Sequence, residues 1–276
     1  MIQIENLNFR YGKRPMLFNG LNLSLDSGHI YGLLGLNGAG KTTLLKIMMG
    51  MVFPKGGIYR VLGYDSLKRQ PAMLADMMFV PEEFYAPKMT IGSYVDLYAP
   101  FYPAFGHDQF NTYMNELQLS KNEHFNSFSL GQKKKTVLAF ALAANTRVLL
   151  LDEPTNGLDI PSKAQFRRML ASVAADNRCV IISTHQVSDI EKLIDALIIL
   201  DNGQIVLHKT LETITRKLSF DTISELTGQE LYSESSIAGF RVLLPNTEGE
   251  DSQIDIELLF NTVITNRQTI HHIFNQ

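Results

Sequence analysis

Residues 35–42 form a glycine-rich loop that ends in Lys-Thr, Gly35-Leu36-Asn37-Gly38-Ala39-Gly40-Lys41-Thr42. An apolar, strand-like stretch at 30–34 precedes this loop, and a helical pattern at 43–49 follows it. In that setting the glycines let successive backbone N–H groups point at a polyphosphate, and the helix adds its positive N-terminal end. Lys41 supplies a charge for the β- and γ-phosphates, and the Thr42 hydroxyl can bind Mg²⁺. The loop therefore predicts binding of a nucleoside triphosphate rather than a simple glycine turn before a helix.

The overall composition is that of an ordinary globular protein. The chain has 276 residues, 45% of them hydrophobic and 19% charged, which suffices for one large domain or for a domain with an appendage. A net charge of −3 gives no indication of a nucleic-acid partner. The single cysteine, Cys179, excludes an internal disulfide, and its apolar, strand-like surroundings predict a buried structural thiol.

Neither a membrane-spanning segment nor a secretion signal is predicted. No apolar run approaches the roughly 20 residues that a helix needs to cross a bilayer. Residues 1–6 lack the basic and apolar regions of a signal peptide. We therefore expect a cytoplasmic protein, whose contact with a membrane would depend on another protein.

The pattern along the chain predicts an α/β fold. Residues 1–34 read as short strands and turns, and 148–151 and 180–182 read as strands buried on both faces of a parallel sheet. A helical pattern at 162–175 lies between the latter two and completes a βαβ unit. Residues 87–147 are mostly helical in pattern and predict an insertion, whereas 198–206 predicts a hairpin with an Asn-Gly turn.

A change of composition after Thr210 predicts a small α+β appendage. From Leu211 onward ten residues are acidic and four are basic. Strand-like pieces at 240–244 and 254–260 and a helical end at 266–274 are expected to form a small core of their own. The predicted boundaries are therefore 1–210 and 211–276.

Two adjacent carboxylates, Asp152 and Glu153, follow the buried strand at 148–151. The carboxyl end of a central strand is where α/β sheets place their ligands, which argues against a solvated loop pair. Asp152 is placed to bind Mg²⁺ directly or through water, and Glu153 to polarise the water that attacks the γ-phosphate. His185 ends the next apolar strand, where it could donate to the γ-phosphate, although the histidine alone is a weak signal.

A serine-glycine pair precedes an apolar helix at 137–144. Ser129 and Gly131 at this helix N-terminus could bind a second anion, or Ser127 or Ser129 could serve only as an N-cap. The lysine run 133–135 that follows is expected on a solvated helix face.

Taken in this order, the motifs resemble the nucleotide-binding domain of ATP-binding cassette (ABC) transporters. The resemblance covers about residues 1–210, and the matching elements are the phosphate loop 35–43, the signature 129–132, the acidic strand 148–153, the loop 157–159 and the switch His185. It implies a P-loop NTPase core, with an N-terminal antiparallel β subdomain and a helical subdomain at about 87–147. It also implies an ATPase with ATP and Mg²⁺ as cofactors.

The resemblance implies roles for particular residues. By resemblance, the catalytic residues are Lys41, Glu153 and His185. The metal ligands that it implies are Thr42, Asp152 and Glu82. The nucleotide contacts that the resemblance implies are Tyr11, Asn37, Gly38, Gly40, Lys41, Thr42, Thr43, Ser129, Gly131, Gln132 and Asp159. Asp159 matches a residue that communicates across a dimer, and Tyr11 matches an aromatic that stacks on adenine, although packing on the sheet would equally suit a turn aromatic.

The family also implies partners. Two such domains dimerise head to tail, so that each ATP lies between one phosphate loop and the signature of the other subunit. The second subunit would be a copy of this chain or a close paralogue, and a separate transmembrane permease would hold the pair at the cytoplasmic face of a membrane. The alternative is a soluble ABC ATPase that acts on a protein or nucleic-acid assembly.

Two positions depart from the family pattern. Glu82 stands where glutamine is usual; its carboxylate can still reach Mg²⁺ or its waters, but it adds negative charge and lacks an amide donor. Leu130 stands in the signature where glycine is usual, while Ser129 and Gly131 remain. We expect these changes to affect reaction rate and coupling more than nucleotide binding.

Replacing Lys41 with alanine should abolish tight binding of MgATP, because the loop loses its fixed positive side chain at the β- and γ-phosphates. The Kd for a fluorescent ATP analogue measures this effect. Lys46→Ala, which removes a lysine further along the same helical stretch, is the matched control and should leave the Kd unchanged. An unchanged Kd for Lys41→Ala would contradict the phosphate-loop interpretation.

Overall fold

The phosphate loop follows a central strand of a largely parallel sheet in the computed structural model, which describes residues 1–173, 177–247, 249 and 252–275. The strands are β1 Ile2–Phe9, β2 Phe18–Leu25, β3 His29–Leu34, β4 Ile58–Val61, β5 Tyr64–Asp65, β6 Met77–Val80, β7 Val148–Asp152, β8 Cys179–Thr184, β9 Ala196–Asp201, β10 Gln204–Thr210, β11 Leu218–Ile223, β12 Tyr232–Ser236 and β13 Gly239–Pro245. The α-helices are α1 Lys41–Met48, α2 Pro71–Leu74, α3 Ile91–Tyr98, α4 His107–Glu116, α5 Leu130–Ala143, α6 Ile160–Val173, α7 Leu211–Lys217, α8 Ile256–Thr265 and α9 Arg267–Asn275. Short 3₁₀ helices lie at Ser66–Lys68, Ala99–Phe101, Phe125–Ser127 and Val187–Asp189.

The main sheet has the order β10-β9-β3-β8-β7-β6. β7 and β8 are parallel neighbours and every residue of both is buried, as their continuous apolar runs predict. α6 connects them, so the βαβ unit is confirmed, although the last two residues of the predicted helix, 174 and 175, lie outside the described residues. The Asn-Gly hairpin is also confirmed: Asn202 and Gly203 both have positive φ between β9 and β10.

Two layers cover the faces of this sheet. The N-terminal strands form an antiparallel sheet of order β2-β1-β4-β5, and its apolar side packs with α1 against one face of the main sheet. The helices of the insertion, α3, α4 and α5, belong to the core on the other face. Cys179 is fully buried and burial raises the pKa of its thiol to about 12, so the prediction of a buried thiol is confirmed.

The appendage is an α+β unit, but one of its predicted strands is wrong. β11, β13 and β12 form a small antiparallel sheet, and the predicted strand at 240–244 lies in β13. The second predicted strand, 254–260, instead enters α8. Asp255 caps this helix, because its side chain accepts the Leu258 N–H at 3.0 Å. Buried Ile256, Leu259 and Val263 recur with helical spacing, which overrides the short alternation.

The appendage also shares the core of residues 1–210 instead of forming a core of its own. Buried Leu218, Leu243 and Leu259 belong to the same apolar cluster as Leu197 and Ile199 of β9. An ion pair between Arg267 and the buried Asp201 adds a polar link, and the ammonium of Lys209 in β10 lies 5.9 Å from the centroid of the Phe274 ring.

The described helices include none that is long and apolar enough to cross a bilayer.

Replacing Leu259 with alanine should lower the free energy of unfolding by about 2–5 kcal/mol, because the side chain is fully buried in this shared core. Urea unfolding followed by circular dichroism measures the loss. Gln268→Ala, at an exposed position of the neighbouring helix, is the control and should change stability little. Equal stability of the two variants would contradict the shared core.

Candidate functional site

The backbone of the phosphate loop explains its glycines. Gly40 precedes α1 with φ +110°, and a Cβ atom there would lie 2.7 Å from the Phe18 ring. Gly38 also has a positive φ, of +82°. Lys41 is the first residue of α1, and its buried ammonium donates to the carbonyl of Gly35 at 2.7 Å. The loop therefore holds its cation on the inner side of a curved backbone.

The Lys41 ammonium faces an acidic environment. Burial lowers its pKa, while the negative charges of Glu153, Asp152 and Glu82 act in the opposite direction. The carboxylates at the ends of β6 and β7 therefore surround the Lys41 ammonium, which the sequence predicts to contact the phosphates.

A cleft of about 520 Å³ opens beside this lysine. The predicted site residues that line it are Tyr11, Asn37, Gly38, Gly40, Lys41, Thr42, Thr43, Glu82 and Glu153. The segment 14–17 also lines it, and sequence reasoning missed this contribution. Arg14 is the charged member of that segment, and its N–H donates to the Tyr11 carbonyl at 2.9 Å. The basic run at 10–14 around Gly12, directly after β1, was the signal available for it.

Tyr11 packs against the protein and also lines the cleft. Its ring packs edge-on against Phe9 of β1, with a distance of 4.8 Å between the ring centroids. Its hydroxyl lies 3.0 Å from Oγ1 of Thr43 in α1, and the ring is exposed in the cleft. The residue is thus both a packed turn aromatic and a wall of the candidate nucleotide site, and adenine stacking stays a prediction.

The two acidic residues are buried, so the solvated-loop interpretation is wrong. Asp152 and Glu153 are 2% and 7% exposed. Ser183, directly opposite Asp152 in the β7–β8 register, donates from Oγ to Asp152 Oδ1 at 2.5 Å. The Ser183 carbonyl accepts the Glu153 N–H at 3.0 Å. A serine that sequence reasoning did not single out therefore orients both acids.

His185 lies beside Glu153. Its Nδ1 is 2.9 Å from Glu153 Oε1. A neutral ring that donates from Nδ1 leaves Nε2 as an acceptor, whereas the imidazolium can donate from both nitrogens. A donor contact from Nε2 to a γ-phosphate therefore requires either the charged ring or a different partner for Nδ1.

The residues predicted to bind Mg²⁺ supply a suitable but incomplete set of ligands. Thr42 offers a hydroxyl, and Asp152 and Glu82 offer carboxylates, which are the hard oxygen ligands that Mg²⁺ prefers. Within the described ranges no group of three or more His, Cys, Asp or Glu side chains could hold a metal by itself. Glu82 is exposed, and its Oε1 accepts from Nδ2 of Asn156 at 2.7 Å.

The signature residues lie outside the cleft. Ser129 caps α5 in a reciprocal box, in which its Oγ accepts the Gln132 N–H and the Gln132 side chain accepts the Ser129 N–H. The hydroxyl keeps its own proton in this arrangement, so N-capping and donation to a phosphate are compatible. Gly131 and Asp159 are likewise absent from the lining of the cleft, and Leu130 is 70% exposed.

Asp159 caps the next helix. Its Oδ1 accepts the Ser162 N–H at 2.9 Å, and hydrogen bonds from Ser162 hold the pKa of the carboxyl below its usual value. The carboxylate therefore stays charged at the start of α6.

The expectation that all three lysines of the run 133–135 face solvent is wrong. Lys133 and Lys135 are half-buried, and Lys134 is 3% exposed. The period of α5 turns Lys134 toward the end of β7, where backbone carbonyls accept its protons.

The site combines a loop that binds a lysine on its inner side with a buried acid pair and with a histidine beside that pair. This is the geometry of an ATPase site. The family model described as ABC transporter matches residues 18–156. The chain belongs to the ABC transporter family. As a member, it is an ATP-binding subunit with ATPase activity, built on a P-loop α/β fold.

Named relatives extend over most of this ABC cassette. The ABC transporter ATP-binding protein YtrB of Bacillus subtilis (strain 168) is 27% identical over 270 residues, which cover 94% of this chain and 91% of the relative. The bacitracin transport ATP-binding protein BcrA of Enterococcus faecalis is 31% identical over 211 residues, which cover 75% and 68%. The dimeric structure of MJ0796, a bacterial ABC transporter cassette, shares the fold with a TM-score of 0.65 and 22% identity, over 76% of this chain and 99% of that chain.

Replacing Glu82 with glutamine should leave the MgATPase rate within a few fold, because the amide keeps an oxygen that can accept from Asn156 and reach the metal shell. Steady-state phosphate release measures the rate. A loss of roughly a hundredfold, or about 2.7 kcal/mol of barrier, would show that the carboxylate has a further role.

Proposed function

We propose that this chain binds ATP with Mg²⁺, dimerises on it and hydrolyses it to drive a separate transmembrane permease. The observation that carries the proposal is the buried Glu153 carboxylate, which lines the phosphate-loop cleft and lies 2.9 Å from Nδ1 of His185. The ATPase unit would comprise residues 1–210, with 211–276 as an accessory segment.

Each residue of the site has a separate task in this proposal. Glu153 accepts a proton from the attacking water or orients it, and His185 fixes the direction of the Glu153 carboxylate. Lys41 offsets the charge of the β- and γ-phosphates. Thr42, Asp152 and Glu82 would hold Mg²⁺, which when bound neutralises phosphate charge. The segment from Tyr11 to Leu17 would contact the nucleoside.

The signature supports the proposal of a head-to-tail dimer. Ser129, Gly131 and Gln132 form a helix N-terminus that suits an anion, yet they lie outside the cleft of their own chain. Exposed apolar side chains lie within the signature, at Leu130, and at the start of α6, at Ile160, which is 82% exposed. A second cassette that presents its phosphate loop here would cover both side chains and complete each site.

The choice of a permease partner follows the relatives. YtrB and BcrA are named as transporter or transport ATP-binding proteins, which favours the transporter over an ATPase that acts on a soluble assembly. The bacitracin in the second name is a property of that relative, and substrate choice would lie with the permease. We place the pair at the cytoplasmic face of the membrane through that permease.

Glu153→Gln tests the proposal. The amide has nearly the same size as the carboxylate but is a poor proton acceptor, so hydrolysis should fall by roughly 10²–10⁴-fold while MgATP binding persists. We expect an ATP-dependent dimer of the variant in size-exclusion chromatography.

Glu116→Gln, at the exposed end of α4, removes the same charge and serves as the control. Hydrolysis by Glu153→Gln at the rate of this control would refute the role of Glu153. A variant that binds ATP but stays monomeric at all protein concentrations would refute the dimer.

A further inference from the structure

Lys134 is a buried cation that the proposed mechanism does not use. It lies in the second turn of α5, two residues after the end of the signature 129–132. Burial lowers the pKa of its ammonium, and the negative charges of Glu82, Glu153 and Asp152 oppose that effect. A buried ammonium is costly unless its protons are hydrogen-bonded, so the contacts that it makes indicate its role.

The ammonium binds the turn that follows β7. Nζ donates to the carbonyl of Glu153 at 2.7 Å and to the carbonyl of Asn156 at 2.8 Å. The Asn156 N–H in turn donates to the Glu153 carbonyl at 3.2 Å and closes the turn. Lys134 therefore clamps both ends of the segment 153–156 from within α5.

Glu153 needs such support because of its backbone conformation. Its φ is +45°, in the left-handed region that non-glycine residues rarely adopt. Ser183 holds the N–H side of this residue, and Lys134 holds the carbonyl side. The direction in which the Glu153 carboxylate points depends on both contacts.

We propose that Lys134 is a positioning residue for hydrolysis, whose ammonium fixes the Glu153 turn to the signature helix so that the direction of the Glu153 carboxylate follows the position of α5. The inference rests on the proposed function, because hydrolysis at Glu153 is the step that Lys134 adjusts. In the proposed dimer the signature of one chain contacts the ATP of the other. Lys134 would then transmit that contact to Glu153 of its own chain.

Asn156 extends the link to the third segment of the site. Its Nδ2 donates to Glu82, which follows β6 and lines the cleft. The same turn thus joins the loop after β6, the catalytic acid and the signature helix. Lys134 is the member of this network that belongs to α5.

Lys134→Met tests the proposal, because methionine keeps a long unbranched side chain but has no ammonium. We expect kcat for MgATP hydrolysis to fall roughly a hundredfold, as for a misplaced catalytic group, while the Kd for a fluorescent ATP analogue stays unchanged. Lys133→Met removes the same charge from the preceding position of α5 and should change neither quantity.

A second measurement separates positioning from signature docking. In the Glu153→Gln background, Lys134→Met should still form the ATP-dependent dimer, because Ser129, Gly131 and Gln132 are intact. Loss of that dimer would overturn the proposal, since Lys134 would then act at the interface rather than on Glu153.

Lys134→Gln provides a second test if the methionine variant does not fold. Its neutral amide can still donate to one of the two carbonyls that Lys134 binds. Its kcat should lie between those of the wild type and Lys134→Met. Equal kcat values for the wild type and Lys134→Met, or a joint loss of ATP binding and kcat in both Lys134 variants, would overturn the proposal. Failure of the proposed function itself would instead appear as a wild-type protein without MgATPase activity.

Discussion

The parallel pairing of β7 with β8 is the constraint on which the site depends. The register places Ser183 opposite Asp152, and this buried serine then binds Asp152 through its hydroxyl and Glu153 through its carbonyl. Because side chains alternate along a strand, a slip of one residue would turn Ser183 away, so that the Asp152 carboxylate would lose its hydroxyl donor and the Glu153 N–H would lose its acceptor. Both strands are buried along their whole length, so the acid pair lies at the end of the apolar core of the sheet.

The balance of charge follows from the same strand ends. Glu82, Asp152 and Glu153 bring three carboxylates near two buried ammonium groups, those of Lys41 and Lys134. A polyphosphate adds further negative charge, so tight binding requires additional cations. Mg²⁺ would contribute most of that charge, and Arg14 at the wall of the cleft is a suitable second source. The glutamate at position 82 makes this requirement stronger than a glutamine would.

The sequence predicts those parts of the site whose residues directly follow a recognisable strand in the chain. A strand, a glycine loop ending in Lys-Thr and a helix follow each other directly, and the acid pair directly follows a fully apolar strand, so both could be predicted. The buried position of Lys134 could not, because nothing in a run of three lysines tells which one faces the protein. The helix α8 was missed for a related reason: the alternation at 254–260 fits a strand, and only the cap by Asp255 and the later burial of Val263 favour a helix.

The appendage reaches the site through packing rather than through charge. Phe260 of α8 lines a small cavity of about 160 Å³ together with Gly35, Leu36 and Asn37 of the phosphate loop and with His185. Every residue assigned to phosphate or Mg²⁺ precedes position 210, so the appendage contributes no ligand in the proposed mechanism. It contributes a wall instead, because the apolar core that α8 shares with β9 holds Phe260 beside the loop and His185. A change in the packing of α8 would therefore act on the phosphate loop and on His185, which contacts Glu153 directly.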